Sequence, residues 1–270
     1  MSLTTSRLSF QSECKRWRLF RKLSQLDLAL EANISQRHLS YLETGRSQPS
    51  REMVIQLSEA LDVPLRERNM LLQSAGYASV YKETQLNAPD MIPVMTALNS
   101  ALKHHNPLPA LVVDRFWNVR LKNQSAERLL GLVASLSDMS QLTDAKGLIN
   151  IAMLTLHPQG LRNFISNWQQ AAPLFVRRLN REANTSGDPQ VQNKLREIIR
   201  LAGPIGDEEQ LTDQLLPVLP LNLNIGGIKL SLFSIISTFG TPQDITTDEL
   251  RIEAFYPSDK STEAFFNNQN

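Results

Sequence analysis

Residues Leu23–Ser50 read LSQLDLALEANISQRHLSYLETGRSQPS. Ser24 stands where a helix N-cap accepts a backbone N–H, and Asp27, three residues on, is placed to return the bond. The helix it opens runs to about Ala32, with Leu26, Ala29 and Leu30 expected on one face. Asn33 follows where the chain must turn, and asparagine tolerates the left-handed conformation. Ser35 caps a next helix that runs to about Thr44 and stops at Gly45. Gln36 and Arg37 fall in its first turn, and Tyr41 lies one turn beyond Arg37. Leu39 and Leu42 project to the opposite side and are expected in the core. Pro49-Ser50 opens another helix.

The neighbouring segments extend this pattern. A helix over about 11–22 precedes it, with Trp17, Leu19 and Phe20 as its apolar residues. The helix opened by Pro49-Ser50 reaches about Leu61, and one opened by Pro64 ends at Gly76. Residues 1–76 therefore read as an all-α domain of five short helices, which the resemblance given below implies is a helix-turn-helix domain. A short helix with polar residues at its start suits the major groove, where Gln pairs bidentately with adenine and Arg with guanine. The starts of the helices at Ser24-Gln25 and Ser50, with Arg46 in a loop, suit phosphate. The DNA-facing set is Ser24, Gln25, Ser35, Gln36, Arg37, Ser40, Tyr41, Arg46 and Ser50.

Charge agrees in sign. Residues 1–76 carry 11 Lys+Arg against 8 Asp+Glu, a net +3, whereas the rest of the chain is net −2. The apolar content of 41% with 20% charged residues excludes wholesale disorder. Cys14 is the one cysteine of the chain, so no intramolecular disulfide forms, which fits a reducing compartment. Residues 1–12 have no apolar leader, and the run Leu230–Ile236 is far short of the roughly 20 residues of a membrane helix. A cytoplasmic protein with no membrane partner is expected. The sequence has no Gly-rich phosphate loop, HExxH helix, GxSxG elbow or Cys/His cluster, so neither an enzyme nor a metal protein is expected.

Residues 77–106 read as a polar linker and a connecting helix, Pro93–His104. Residues 107–262 read as a second domain. Two strands over 110–121 flank a turn at Asp114–Phe116, and Asn123–Gly131 is a helix. Residues 158–186 and 188–202 read as helices, and Asp207–Glu209 as a solvated acidic run. The strands Val218–Asn224 and Ile228–Phe239 are joined by Asn224-Ile225-Gly226-Gly227, and Leu250–Tyr256 is a last strand. Strands early and late with helices between them suit an α+β sensor domain.

These segments carry a family resemblance. Ser24-Gln25, Ala29, Ile34-Ser35, Leu39 and Leu42-Glu43-Thr44-Gly45-Arg46 resemble the phage-repressor-like, xenobiotic-response-element helix-turn-helix, with Asn33 where glycine is usual. Pro109-Ala-Leu-Val-Val-Asp-Arg-Phe-Trp-Asn-Val, Asn123, His157-Pro158, Asn167-Trp168, Phe239-Gly-Thr-Pro and Glu249-Leu-Arg-Ile-Glu-Ala-Phe-Tyr-Pro are similar to regulators with a C-terminal MmyB-like domain. The resemblance implies a PAS-like antiparallel sheet with flanking helices around an apolar pocket. It also implies a fatty acid as effector, with no other cofactor.

An apolar slot for such a ligand needs a polar anchor. Arg120, Asn123, His157, Arg177 and Arg178 are the candidates, an arginine suiting a carboxylate best. Trp117 and Trp168 are candidate contacts, although large aromatics more often fill cores. The expected protein is a homodimer on a double-stranded operator, with half-sites about one helical turn apart. Two alternatives stand beside it. One is a protein-interaction or antitoxin-like module whose second domain only dimerises; the other is an enzyme fused to a DNA-binding domain.

Overall fold

The computed structural model describes residues 9–136, 142–143, 147–205 and 217–268. The acidic run Asp207–Glu209 lies outside them. The chain forms two compact units. Unit 1 holds the residues up to Thr84 together with 241–248, and unit 2 holds 85–240 and 249–270.

Unit 1 is helical: α1 (Phe10–Phe20), α2 (Gln25–Glu31), α3 (Gln36–Glu43), α4 (Arg51–Ala60) and α5 (Leu65–Ser74). Serine caps open the first four, at Ser9, Ser24, Ser35 and Ser50, and Ser24 forms a reciprocal capping box with Asp27. Asn33 takes the turn at φ 48°, and Gly45 closes the next turn at φ 74°. Leu39 and Leu42 are fully buried, with Leu28, Val54 and Leu57 around Trp17.

The buried face of α2 differs from the sequence reading. Leu26 and Leu30 are 51% and 71% exposed, while Leu28, Ala29 and Ala32 are buried. Both stripes of this short helix are apolar, so its own periodicity does not choose between them, and packing against α3 and α4 does. In α1 the buried stripe is Phe10, Cys14 and Trp17, which leaves Leu19 and Phe20 outside.

Residues 77–84, read from sequence as linker, belong to unit 1. The Asn69 amide donates to the Tyr81 carbonyl at 2.8 Å and accepts from Val80 N at 2.9 Å. Residues 241–248 are held by two carboxylates. Asp244 accepts from Thr84 N and Oγ1 at 3.1 and 2.6 Å, and Asp248 accepts from Leu65 N at 3.0 Å. Pro64, at the start of α5, has no side-chain cap, so Asp248 satisfies a donor its own helix leaves open.

Unit 2 opens with α6 (Ile92–His105). It contains an antiparallel sheet of β1 (Ala110–Val113), β2 (Val119–Lys122), β3 (Leu221–Ile225), β4 (Ile228–Thr238) and β5 (Arg251–Pro257), in the order β2-β1-β5-β4-β3. This is the expected α+β, PAS-like arrangement. The hairpin β3–β4 turns on Gly226 and Gly227, both at positive φ, as a two-residue turn between twisted strands requires. β1 is buried along its whole length. Ala110 and Val112 pack with Leu98 and Leu102 of α6, whereas Leu111 and Val113 face the larger core on the other side.

That second face is covered by α7 (Gln124–Ala134), α8 (Ile151–Leu156), α9 (Trp168–Thr185) and α10 (Pro189–Leu201), and α12 (Lys260–Asn267) packs on β4 and β5. The short α11 (Ile245–Glu249) precedes β5. Residues 158–186 are not one helix as the sequence suggested. A 3-10 turn at Leu161–Phe164 comes first, and α9 begins only at Trp168. The break lies at Gly160, whose backbone runs so close to α8 that a Cβ there would fall 2.1 Å from the Leu154 carbonyl oxygen.

Gly160→Ala should therefore lower stability by about 1–3 kcal/mol, the usual cost of overpacking. Gly131→Ala, in α7 with nothing near its added methyl, should raise it by roughly 0.5–1 kcal/mol. Thermal unfolding of the two variants would show shifts of opposite sign; equal shifts would contradict the close approach at Gly160.

Candidate functional site

The candidate nucleic-acid face of unit 1 is built on α3. Gln36 and Arg37 are exposed in its first turn, and Ser40 and Tyr41 are half-buried one turn on. Arg37 Nε donates to the Tyr41 hydroxyl at 2.9 Å. The guanidinium groups of Arg37 and Arg46 lie 5.4 and 5.9 Å from the Tyr41 ring centre. The ring thus holds two arginines near the start of α3 and the loop after it, where they present cationic donors to an anion. The hydroxyls of Ser24, Ser35 and Ser50 each accept one backbone N–H, from Asp27, His38 and Met53, all at 3.1 Å. Ser24 and Ser50 also bond the Asp27 and Glu52 carboxyls of their own first turns. Ser24 holds the Asp27 carboxyl below its ordinary range, and the backbone N–H of Glu52 with Ser50 does the same for the Glu52 carboxyl.

Gln25 has an inward role as well. Its amide donates to Glu43 Oε2 at 2.8 Å. Glu43 also accepts from Arg18 Nε and Nη2 at 2.7 and 2.9 Å, a bidentate pair in which both side chains are buried. Burial would push the Glu43 carboxyl up. The bonds from Arg18 and Gln25, with the charges of Arg18 and Lys15, outweigh it and hold Glu43 below the usual carboxylate range. This pair ties α1 to the end of α3 and orients the face that carries Arg37. It was not found from the sequence, because Arg18 sits in a run of cations that reads as solvated. Burial pushes the Cys14 thiol up to about 12, so it is protonated and inert at neutral pH.

Unit 2 contains a cavity of about 290 Å³ between the sheet and α7, α8 and α9. That volume is near the low end for small-molecule sites. Its walls are almost wholly apolar: Leu111, Leu130, Ile151, Phe175, Leu232 and Phe255 are representative. Of the residues proposed from sequence, Trp117 and Trp168 line it. Arg120, Asn123, His157, Arg177 and Arg178 do not. Arg120 is exposed and lies 3.6 Å from Asp114. Asn123 caps α7 and ties Ala110 N to the Leu108 carbonyl. The His157 ring accepts from Gln159 N at 3.1 Å. Arg178 pairs with Glu182 at 3.1 Å and lies over Trp117. Arg177 is exposed.

Behind Trp117, outside the cavity lining, lies a polar cluster the sequence reading did not find. Glu182 accepts from Trp117 Nε1 at 2.8 Å, from Arg178 Nε at 3.1 Å and pairs with Arg251 Nη1 at 2.8 Å. Burial raises the Glu182 carboxyl, but Arg251, Trp117 and Arg178 together bring it below its ordinary value. Trp117 sits at φ 69°, a conformation bulky residues rarely adopt. It is held there by Asp114, whose Oδ1 accepts from Phe116 N and Asn118 N at 2.9 and 3.0 Å. Glu253, on β5, is buried and lines the cavity. Burial pushes its carboxyl up, against the opposing pull of Ser234, Arg178 and Arg251.

Among the described residues no cluster of His, Cys, Asp and Glu could hold a metal ion, and no helix is long and apolar enough to cross a membrane. Comparison with protein families matches residues 15–68 to a helix-turn-helix family. It matches residues 94–268 to the MmyB-like transcription regulator ligand binding domain. No curated protein matches the chain.

Glu43→Gln should cost about 3–5 kcal/mol at neutral pH, since it leaves Arg18 buried without its counter-charge. A carboxyl held low in the folded state stabilises above its unfolded pKa, and that contribution is lost as pH falls through the folded pKa. The gap between the variant and the parent chain should therefore narrow on acidification through the carboxylate range. Denaturant titrations at several pH values would check this; a gap independent of pH would contradict the pair.

Proposed function

The chain belongs to the family of the MmyB-like transcription regulator ligand binding domain and is a DNA-binding transcription regulator; we propose that a fatty acid or similar apolar molecule, held in the unit 2 cavity, controls it. The observation that carries this reading is the cavity itself. A domain that served only to dimerise would fill the space between its sheet and helices with side chains, as packed cores do. Here aromatic and aliphatic walls enclose room for a small molecule.

In this reading Gln36 and Arg37 contact base edges, with Ser40 and Tyr41 beside them. Ser24, Gln25, Ser35, Arg46 and Ser50 hold phosphates. The protein acts in the cytoplasm as a homodimer on a near-palindromic operator and catalyses no reaction. Ligand binding changes operator affinity only by favouring one arrangement of the chain over another. A covalent route exists for it: β4 and β5 form part of the cavity wall, and residues 241–248, which join them, belong to unit 1.

Two measurements test the two halves. Gln36→Ala should cost about 1–3 kcal/mol on the cognate operator and little on unrelated DNA, whereas Arg46→Ala should weaken both and flatten the salt dependence. Equal losses on both DNAs for Gln36→Ala would reduce it to a phosphate contact. Native mass spectrometry of freshly purified protein should show a bound acyl compound, and added fatty acid should raise the melting temperature. Finding neither would leave the dimerisation-only module as the better account.

A further inference from the structure

The cavity walls hold few polar groups, and most are already committed. Thr155 Oγ1 donates to the Ile151 carbonyl at 2.8 Å, and Trp117 Nε1 donates to Glu182. No Lys, Arg or His is among the described residues that line it. The remaining polar wall is Glu253 on β5 with Ser234 on β4, whose hydroxyl donates to the Glu253 carboxyl. We propose that Glu253 and Ser234 form the head-group subsite of the cavity. They select an apolar molecule that ends in one neutral hydrogen-bond acceptor, such as an ester, an amide or an undissociated acid. The inference rests on the sensor reading above and narrows it.

Charge decides among the alternatives. An anionic head would meet no cation in the described wall, and the nearest arginines, Arg178 and Arg251, are engaged by Glu182. A cationic head would find a carboxyl and aromatic rings, which is a favourable pattern in other settings. In this cavity the ring of Trp117 already carries Arg178 and Arg251, at 5.1 and 4.7 Å, and that of Trp168 carries Arg162 at 4.9 Å. A further cation would be repelled by the same two arginines that act on Glu253. A neutral acceptor meets neither objection. In its neutral form Glu253 accepts the Ser234 hydroxyl's hydrogen bond on one oxygen and donates its own O–H to the ligand, so no polar group is left unpaired.

The test uses the full chain at neutral pH and four probes with similar tails: decane, methyl decanoate, decanoate and decylamine. Binding is read by calorimetry and by the fluorescence of Trp117 and Trp168, which line the cavity. Methyl decanoate should bind about tenfold more tightly than each of the others, the worth of one well-made buried hydrogen bond. Glu253→Leu should bring methyl decanoate down to the level of decane while decane still binds, which shows that the cavity remains folded. Glu253→Gln, which keeps a donor, should restore most of the difference, and Ser234→Ala should lose part of it. Tightest binding by decanoate or by decylamine, or an unchanged ester affinity in Glu253→Leu, would overturn the head-group assignment and leave the sensor reading standing. Binding of none of the four probes would overturn the sensor reading itself.

Discussion

A single carboxylate organises unit 2. Glu182 on α9 holds Trp117 from the β1–β2 turn and Arg251 from β5, and Arg178 on its own helix completes the set. Without an anion at that place, two arginines would lie against one indole ring with their charges unopposed. With it, their charges are neutralised in part, and both lie near the Trp117 ring. The same bond helps to hold Trp117 at its positive φ, a conformation that persists only where the surroundings over-determine it. Asp114 holds the backbone side of the turn, and Asn150 donates to the Phe116 carbonyl from the start of α8. The Trp117 wall of the cavity is thus fixed by several bonds, and the two arginines behind it are paired with Glu182 outside the lining.

Unit 1 solves a similar problem with Arg18, Glu43 and Gln25. Burying an ion pair contributes little net stability against an apolar alternative, because desolvation offsets the attraction. What the pair supplies is direction. The fork of Arg18 fits the Glu43 carboxylate in one orientation, which sets the end of α3 relative to α1. Gln25 adds the start of α2 to the same carboxylate. Three helices are registered on one group, and the exposed first turn of α3 inherits that register.

Much of this was legible in the residues, and the failures share a cause. Caps and turns are local chemistry. Ser24, Ser35 and Asn33, and the glycine pair of the β3–β4 hairpin, act as their immediate neighbours require. Burial of one stripe over another is not local. Leu26 and Leu30 have helical spacing as good as that of Leu28 and Ala32, and only the position of α3 and α4 separates them. Glu253 was hidden for a related reason. In the run Arg-Ile-Glu-Ala-Phe, alternation assigns Glu253 to the solvent face of a strand. β5 is covered on both faces, by the α6 core and by the cavity, so the polar member of the alternation lies inside. Among the anchors proposed from sequence, Arg120, Asn123, His157, Arg177 and Arg178, an arginine was favoured because a carboxylate ligand was assumed. The cavity wall holds a buried carboxyl group instead.

The position of Glu253 also bears on how a ligand could be felt in unit 1. Ser234 and Glu253 lie on the two strands that leave the sheet toward residues 241–248, and Ile236 is the residue paired directly with Glu253. A head group bonded at that subsite acts on both strands together, whereas a tail in the apolar part of the cavity presses on many walls at once and biases none. Residues 241–248 are in turn fixed within unit 1 by Asp244 and Asp248, each through backbone donors that have a geometric preference. Burial raises the Asp248 carboxyl, against the pull of its bond from Leu65 N and of Arg68. Couplings of about 1–3 kcal/mol are sufficient for regulation. One hydrogen bond at the proposed subsite and one carboxylate contact in unit 1 are each of that order, so the proposed control would not require the core of either unit to rearrange.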